Sequence, residues 1–340
     1  MNVNRNLSGE NTGDKTMKAL SSILAAALSL SLPSQAPAQS TNGYPAKPVR
    51  ILVGSPPGGG TDILARLVAE KLGADLRQSF IVENRPGASN TIAADITARA
   101  EKDGLTLLLA TTTAQAIAPH LLKLKFDPLK DLQPIGMVAT VPNVLVVPTN
   151  SPYKSPQELA EALRSKPGQL KYASSGVGST QHVGGAAFAL ATKSQAIHVP
   201  YKGSSQAHMD LLGGQLDFMF DTLTSALGQI RATKLKPLAV SSPQRSSNLP
   251  NVPTLDELGI HGANVTTWYA LYTTGGTPEP VVTKLNAALN KVLASPDSQA
   301  RIKALGGTAD ATSVSDFAKF NKEEFDRYGK LVASTGLKAE

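Results

Sequence analysis

The sequence predicts an α/β protein of two lobes, each organised on a parallel sheet, with a cleft between them. Three features carry that reading. Apolar runs of strand length alternate with stretches of helical periodicity along most of the 340 residues. Two turns rich in Gly, Ser and Thr, at 55–62 and 174–180, each stand between a strand and a helix. The alternation begins again near residue 144 and ends in a strand-like run at 267–273 followed by helices alone. The chain therefore reads as leaving one lobe, building a second and returning. Residues 45–143 and 266–340 form the first lobe, and 144–265 the second. Two crossings make a hinge, and small-molecule sites concentrate in clefts of that kind.

Residues 1–38 read as a leader with an N-terminal extension. Lys18 precedes an uncharged stretch, 19–32, rich in Leu, Ala and Ser, and the small-residue triplet Ala36-Pro37-Ala38 closes it. This is the order of a secretory signal, cleaved after Ala38, with Met17 as an alternative start to Met1. Strand Val49–Val53 follows, then a helix over 62–72 with Ile63, Leu64, Leu67, Val68 and Leu72 at helical spacing. The run 80–83 is strand, 84–88 a turn, and Ser89 or Asn90 caps a helix carrying Ile92 and Ile96. A strand at 105–110 ends at Thr111-Thr112-Thr113.

A strand at 143–147 leads to Ser155-Pro156-Gln157-Glu158, a capping box with proline in the first helical position. In the second lobe, strands at 170–173, 197–199 and 218–220 alternate with helices through Val183 and Phe188 and through Ala207 and Leu211. A further strand at 235–240 contains Pro237. Gly184 and Gly185 each cost about 1 kcal/mol in a helix against alanine, so close packing on a neighbour is expected there. Thr254-Leu255-Asp256-Glu257 is a second capping box. The strand 267–273 returns to the first lobe, and helices at 281–293, from Pro296, and at 317–332 complete the chain.

Composition narrows the function. With 41% hydrophobic residues the chain has ample material for a core. Aromatic residues make up only 5%, and the formal charge of +7 is scattered with no run of three basic residues, so no nucleic-acid groove is indicated. A mild field attracting anions is the natural use. There is no cysteine, which excludes disulfides, thiolate metal sites and thiol nucleophiles.

The two glycine turns are the candidate site. Three consecutive glycines, Gly58-Gly59-Gly60, leave main-chain N–H groups uncovered, and the following helix start adds free donors and a partial positive charge. Ser174-Ser175-Gly176-Val177-Gly178-Ser179-Thr180 repeats the arrangement in the second lobe. Facing each other, the turns suit a phosphate or carboxylate, with the hydroxyls of Thr61, Ser174, Ser179 and Thr180 supplementing the amides. A valine at Gly59 is expected to intrude on such a site. The plainer reading is that both are tight turns, since glycine is the default turn residue. Asp62, in the first helical turn, suits the helix dipole or orders the loop. Asp221, ending a strand, either faces the cleft or caps a helix from Thr222 onward, and His182 contacts its own loop. Trp268 and Tyr201 read as packing residues.

Enzyme signatures are missing. No Walker loop, dinucleotide fingerprint, nucleophile elbow or metal-spaced histidine set occurs. No catalytic residue, cofactor or metal is therefore expected. A hydrolase or isomerase using Asp62, His182 or Asp221 stands as the remote alternative.

The segments Pro56–Asp62, Glu83–Ala88, Tyr172–His182, Pro200–Gly203 and Pro250–Thr254 occur in that order, and together they resemble the Bug family of periplasmic solute-binding proteins. The likeness covers essentially the whole mature chain. It implies a type II periplasmic-binding fold, two lobes joined by a two-strand hinge, closing on a carboxylated ligand held partly through ordered water. It implies ligand contacts from Gly58, Gly59, Thr61 and Asp62 in the first turn, and from Ser174, Gly176, Gly178, Ser179 and Thr180 in the second, with His182 and Asp221 beside them. It also implies a monomeric receptor serving the permease subunits of a tripartite tricarboxylate transporter. A loaded receptor docking on a sensor kinase is the alternative. The stretch Thr111-Thr112-Thr113-Ala114-Gln115 departs from the Ser-Thr-His-type tip of the family, as does Gly54-Ser55 from its usual aromatic, which bears on ligand identity rather than fold.

Overall fold

The computed structural model describes Met1 and residues 43–338; the leader expected over 1–38 lies, but for Met1, outside the described residues. From Tyr44 onward the chain forms one unit. It opens with β1 (Val49–Val53), α1 (Gly60–Leu76), β2 (Phe80–Asn84), α2 (Thr91–Ala98) and β3 (Thr106–Thr111). A π turn, Thr113–Ile117, passes into α3 (Ala118–Leu121). Next come β4 (Leu132–Pro148), α4 (Pro156–Ser165), β5 (Lys171–Ser174), α5 (Thr180–Ala191), β6 (Ile197–Pro200), α6 (Ser204–Leu212), β7 (Phe218–Thr222), α7 (Leu223–Arg231) and β8 (Leu235–Val240). The chain ends with β9 (Thr266–Thr274), α8 (Glu279–Leu293), α9 (Pro296–Ala304), β10 (Thr308–Ala309) and α10 (Val314–Thr335).

The strands join edge to edge in the order β2-β1-β3-β9-β4-β7-β5-β6, with β8 and β10 also paired to β4. Strand β4 ties the two ends of this sheet together. Its first part runs antiparallel to β9 as far as Pro142 opposite Thr266. From Asn143, opposite Thr222, it runs antiparallel to β7 and, on its other edge, to β8. The partner changes within one peptide unit.

Period-two alternation places successive side chains on opposite faces. Leu107 and Leu109 join Val53 and Leu64 in one core, under α1 and α8. Leu108 and Ala110 join Trp268, Tyr272 and Phe317 in another, under α10. A third core lies in the second half of the sheet, where Leu159, Phe188, Phe218 and Phe220 meet. Burying side chains of this size contributes roughly 1.5–3 kcal/mol each. Trp268 is fully buried and donates its indole N–H to Glu324, and the Tyr201 hydroxyl donates to Asp210, so both are packing residues.

Two expectations change. The sheet is mixed, because β9 and β4 are antiparallel to their neighbours. The strand expected at 143–147 is only the last part of β4. Its first part carries Pro134, Gly136 and Pro142, residues that read as strand breakers. Irregularities in the pairing with β9, between Pro134 and Gly136 and between Met137 and Ala139, accommodate the extra length. The second capping box closes both ways, whereas in the first the Glu158 carboxylate accepts from Lys154 N–H instead of the Ser155 N–H. Ser155 accepts from Glu158 N–H at 3.1 Å, while Thr254 and Glu257 bond reciprocally yet open only a single 3₁₀ turn.

Candidate functional site

The first turn leaves the carboxyl end of β1 and enters α1. Gly58 sits at φ +81°, in the left-handed region that glycine adopts without strain. Its N–H donates to Asp62 Oδ2 at 2.9 Å. Asp62, only 3% exposed, also accepts from both Arg66 donors at 3.0 Å and from Asn84 Nδ2 at 2.9 Å. Burial acts to raise its carboxyl, but the Arg66, Gly58 and Asn84 donors outweigh it and hold the group below the usual carboxylate range. Asp62 thus ties the turn to its helix and to β2. Gly59 is the N-cap of α1, and no side chain caps that helix. Among the described residues, the N–H groups of Gly60 and Thr61 find no acceptor.

The second turn is built differently. Ser174 Oγ accepts from Gly176 N–H at 3.1 Å, donates to Gly176 O at 3.0 Å, and lies 2.6 Å from His198 Nε2. Ser175 N–H donates to Gln181 Oε1, Gly178 N–H to His182 Nδ1 at 3.1 Å, and Ser179 N–H to Gly176 O at 3.2 Å. Ser179 Oγ caps α5 through His182 N–H. Among the described residues the amides of Thr180 and Gln181, at the start of α5, find no acceptor, while those of Ser175, Gly176, Gly178 and Ser179 are consumed inside the turn. Gly176 and Gly178, at φ +135° and +73°, let the chain fold back far enough to do this. What remains for a ligand from this side is the Thr180 hydroxyl and the first amides of α5.

His182 is 5% exposed, and its pKa is pushed down to about 3 by burial and by His198; burial takes His198 down to about 4. Both rings are neutral at physiological pH. With Nδ1 accepting from Gly178, the His182 proton resides on Nε2. Asp221 does not face open space. It is fully buried, and its oxygens accept from Gln181 Nε2 at 2.6 Å, Ser204 Oγ at 2.9 Å, His208 Nε2 at 2.7 Å and Thr222 N–H at 2.9 Å. Burial acts to lower the His208 pKa, but the hydrogen bond and charge of Asp221 outweigh it and raise it. Asp221 and Gln181 thus brace the second turn from behind, as Asp62 braces the first.

The two turns look onto one strand. A Cβ placed on Gly60 would lie 3.4 Å from the Tyr269 hydroxyl and 2.9 Å from Thr224 Cγ2. Thr180 Oγ1 is 2.8 Å from Thr267 Oγ1, two residues before Tyr269 on β9. Nearby, Ser89 Oγ donates to Val177 O at 2.7 Å, joining the turn after β2 to the second turn. The structure therefore brings Gly60 and Thr180 to the crossing of the sheet halves, with Thr61 next along α1 and with Asp62, Ser174, Gly176, Gly178, Ser179, His182 and Asp221 shaping the loops behind them. Sequence reasoning did not find Thr224, Tyr269, Thr267 or Asn143. They carry no turn signature, and only the partner change in β4 places them here. No lysine or arginine is among the buried described residues. No group of side chains able to hold a metal occurs among the described residues.

A family model described as the tripartite tricarboxylate transporter family receptor matches residues 64–337. Protein BugT of Bordetella pertussis is 35% identical over 301 residues, covering 88% of this chain and 92% of its own. Among solved structures, Rpa4515 of R. palustris with adipate is 32% identical with a TM-score of 0.82, covering 87% of this chain and 99% of its own. MatC of Rhodopseudomonas palustris with bound malate is 31% identical with a TM-score of 0.79, covering 85% and 100%.

Proposed function

The chain belongs to the tripartite tricarboxylate transporter receptor family, and from that premise we propose that it captures a small carboxylate between the two halves of its sheet. It does so in the periplasm and hands the ligand to the membrane subunits of such a transporter. The observation that carries this reading is the uncapped start of α1. Gly60 and Thr61 offer unoccupied N–H groups at the positive end of a 17-residue helix, opposite Thr224 and Tyr269. Neutral donors fixed before binding hold a carboxylate without a buried counter-charge. The second turn, locked by Ser174, Gln181 and His182, contributes Thr180 and a rigid wall. The residues flanking β4 and β9 at their crossing act as the hinge, so 45–143 with 266–340 moves against 144–265.

The ligands of the neighbours favour the same class, since adipate and malate are both dicarboxylates. No acid–base pair reaches the crossing. Among the described residues the one buried carboxylate–histidine contact, Asp221 with His208, is enclosed, and the Ser174 hydroxyl that meets His198 is also bonded to Gly176 O inside its own turn. Binding without turnover follows. The test is a thermal-shift and calorimetric screen of the mature chain against dicarboxylates, acidic amino acids and aromatic acids. Stabilisation by at least one carboxylate is expected. Failure of every carboxylate to bind overturns the reading.

A further inference from the structure

We propose that Ser89 is a latch that holds the two halves of the sheet together once a ligand is bound; this deepens the function proposed above and rests on it. The turn between β2 and α2 belongs to the first half, and the turn between β5 and α5 to the second. Ser89 Oγ crosses from one to the other and donates to Val177 O at 2.7 Å. No other donor reaches that carbonyl among the described residues. Beside it, a Cβ on Gly178 would lie 3.2 Å from Leu121 Cδ1 and 3.6 Å from Ser89 Oγ, so no side chain fits between the halves at this point.

The backbone under Ser89 is strained. Ala88, Ser89 and Asn90 have φ of +45°, +53° and +69° in succession. Residues other than glycine take that left-handed conformation at a steric cost, least for asparagine, and ordinarily singly. A glycine at position 89 would relieve the strain, so what the serine adds there is its hydroxyl. Strain of this kind persists only where the surroundings over-determine it, and it collects at switch regions. Here Thr91 Oγ1 donates to Ala88 O at 2.6 Å, and Asn90 is pressed against the residue that follows β1. A Cβ on Gly54 would lie 2.5 Å from Asn90 Cβ and 2.6 Å from Asn90 O. The left-handed turn is thus clamped to the carboxyl end of β1 and holds the Ser89 hydroxyl toward the other half. Closure makes the bond to Val177 O and opening breaks it. Ser89 is a positioning residue, which slows release of the ligand without touching it.

The experiment measures binding of succinate, malate and adipate to wild-type protein, Ser89→Ala and Ser89→Gly. Dissociation constants come from calorimetry, rates from stopped-flow mixing, and melting temperatures are taken without ligand. Both variants lose the hydroxyl. Ser89→Gly also loses the strain, so it folds at least as well as wild type. The net worth of one neutral hydrogen bond predicts that the tightest of the three ligands binds both variants about threefold to tenfold more weakly. The loss falls on the dissociation rate, with the association rate within about twofold of wild type. In Ser89→Gly affinity falls while the melting temperature holds or rises, a split that a merely structural serine would not give. Affinity and dissociation rate unchanged in both variants, or a melting temperature of Ser89→Gly that falls together with affinity, overturn the latch and leave carboxylate capture standing. A wild type that binds no carboxylate overturns both.

Discussion

His182 and His198 lie face to face, their ring centroids 3.6 Å apart and their planes at 11°. One ring accepts from Gly178 N–H and the other contacts Ser174, so the pair forms the inner wall of the second turn. Two stacked imidazoles tolerate no charge, and both pKa values lie well below the ordinary value, near 3 and near 4. As pH falls below about 6.5 the unfolded chain takes up protons at these residues and the folded chain does not, so stability drops across that window by about 1.4 kcal/mol per unit for each ring. His208 opposes this. Its raised pKa adds stability that is present below the unfolded value and lost as pH rises through the folded one. Urea unfolding at about pH 7 and about pH 5 is expected to show the lower stability at pH 5, with a smaller drop in His198→Gln. Equal stability at the two values, or the same drop in the variant, contradicts this account of the pair.

Gly60, rather than Gly59, is the glycine against which a neighbour is pressed. A Cβ on Gly59 meets nothing nearer than Pro56 O at 3.5 Å, ordinary contact, and its φ of −76° suits any residue. The protein itself therefore has room for a Cβ at Gly59. A Cβ on Gly60 lies 2.9 Å from Thr224 Cγ2 and 3.3 Å from Thr224 Cβ. Overpacking of that degree costs about 1–3 kcal/mol, on the order of tenfold or more in affinity if it falls on the closed form. Gly60→Val should therefore lose carboxylate binding with little change in melting temperature, while Gly59→Ala binds within about twofold of wild type. Calorimetry on the two variants decides between them.

Removing Asp62 should loosen the first turn. Asp62→Ala frees Gly58 N–H and Asn84 Nδ2 and leaves the guanidinium of Arg66 without its partner. Arg66 is more than half exposed, so the ion pair itself adds little. The unmatched amides cost about 1–3 kcal/mol, read as a lower melting temperature. Because the Asp62 pKa is depressed in the folded state, its contribution is present above the unfolded carboxylate value and lost as pH falls through the folded one. The gap between wild type and Asp62→Ala should accordingly narrow in acid. A gap that widens there would mean that Asp62 does not act as a charged tie.

The order of strands and helices was legible because each core is written in short-range patterns. Val49–Val53 is apolar but for Arg50, Leu105–Ala110 but for Thr106, and the residues around Leu64 and Leu67 keep helical spacing. The turns were legible because glycine, serine and threonine mark them. The division of labour between the turns was not. Ser174-Ser175-Gly176-Val177-Gly178 looks as open as Ser55-Pro56-Pro57-Gly58-Gly59, yet its Ser175 and Gly178 amides are taken by Gln181 and His182, whose side chains fold back across one helical turn. Nor could local pattern find the partner change at Asn143. Pairing with Thr222 and Thr266 is set by residues about 80 and 120 positions away, and Pro134, Gly136 and Pro142 disguise the strand that makes it.

Gly185 tests how the second turn is supported. A Cβ there would lie 2.2 Å from Tyr172 Cε2 and 2.5 Å from Cδ2, far inside contact distance. Tyr172 has little freedom to move aside, since its ring packs against His198 at 5.0 Å and Phe218 at 5.5 Å and its hydroxyl donates to His182 O. Helix propensity alone favours alanine over glycine by about 1 kcal/mol. The clash opposes that gain with an overpacking cost of about 1–3 kcal/mol, so Gly185→Ala should be net destabilising. Its displacement of Tyr172 is transmitted to the stacked histidines, and ligand affinity should fall although no ligand-facing residue has changed. Double-mutant measurement with Tyr172→Leu, which vacates the space, should restore part of the stability. If Gly185→Ala proves as stable as wild type, helix propensity has won and α5 does not pack on β5 as tightly as the close approach of these two residues requires.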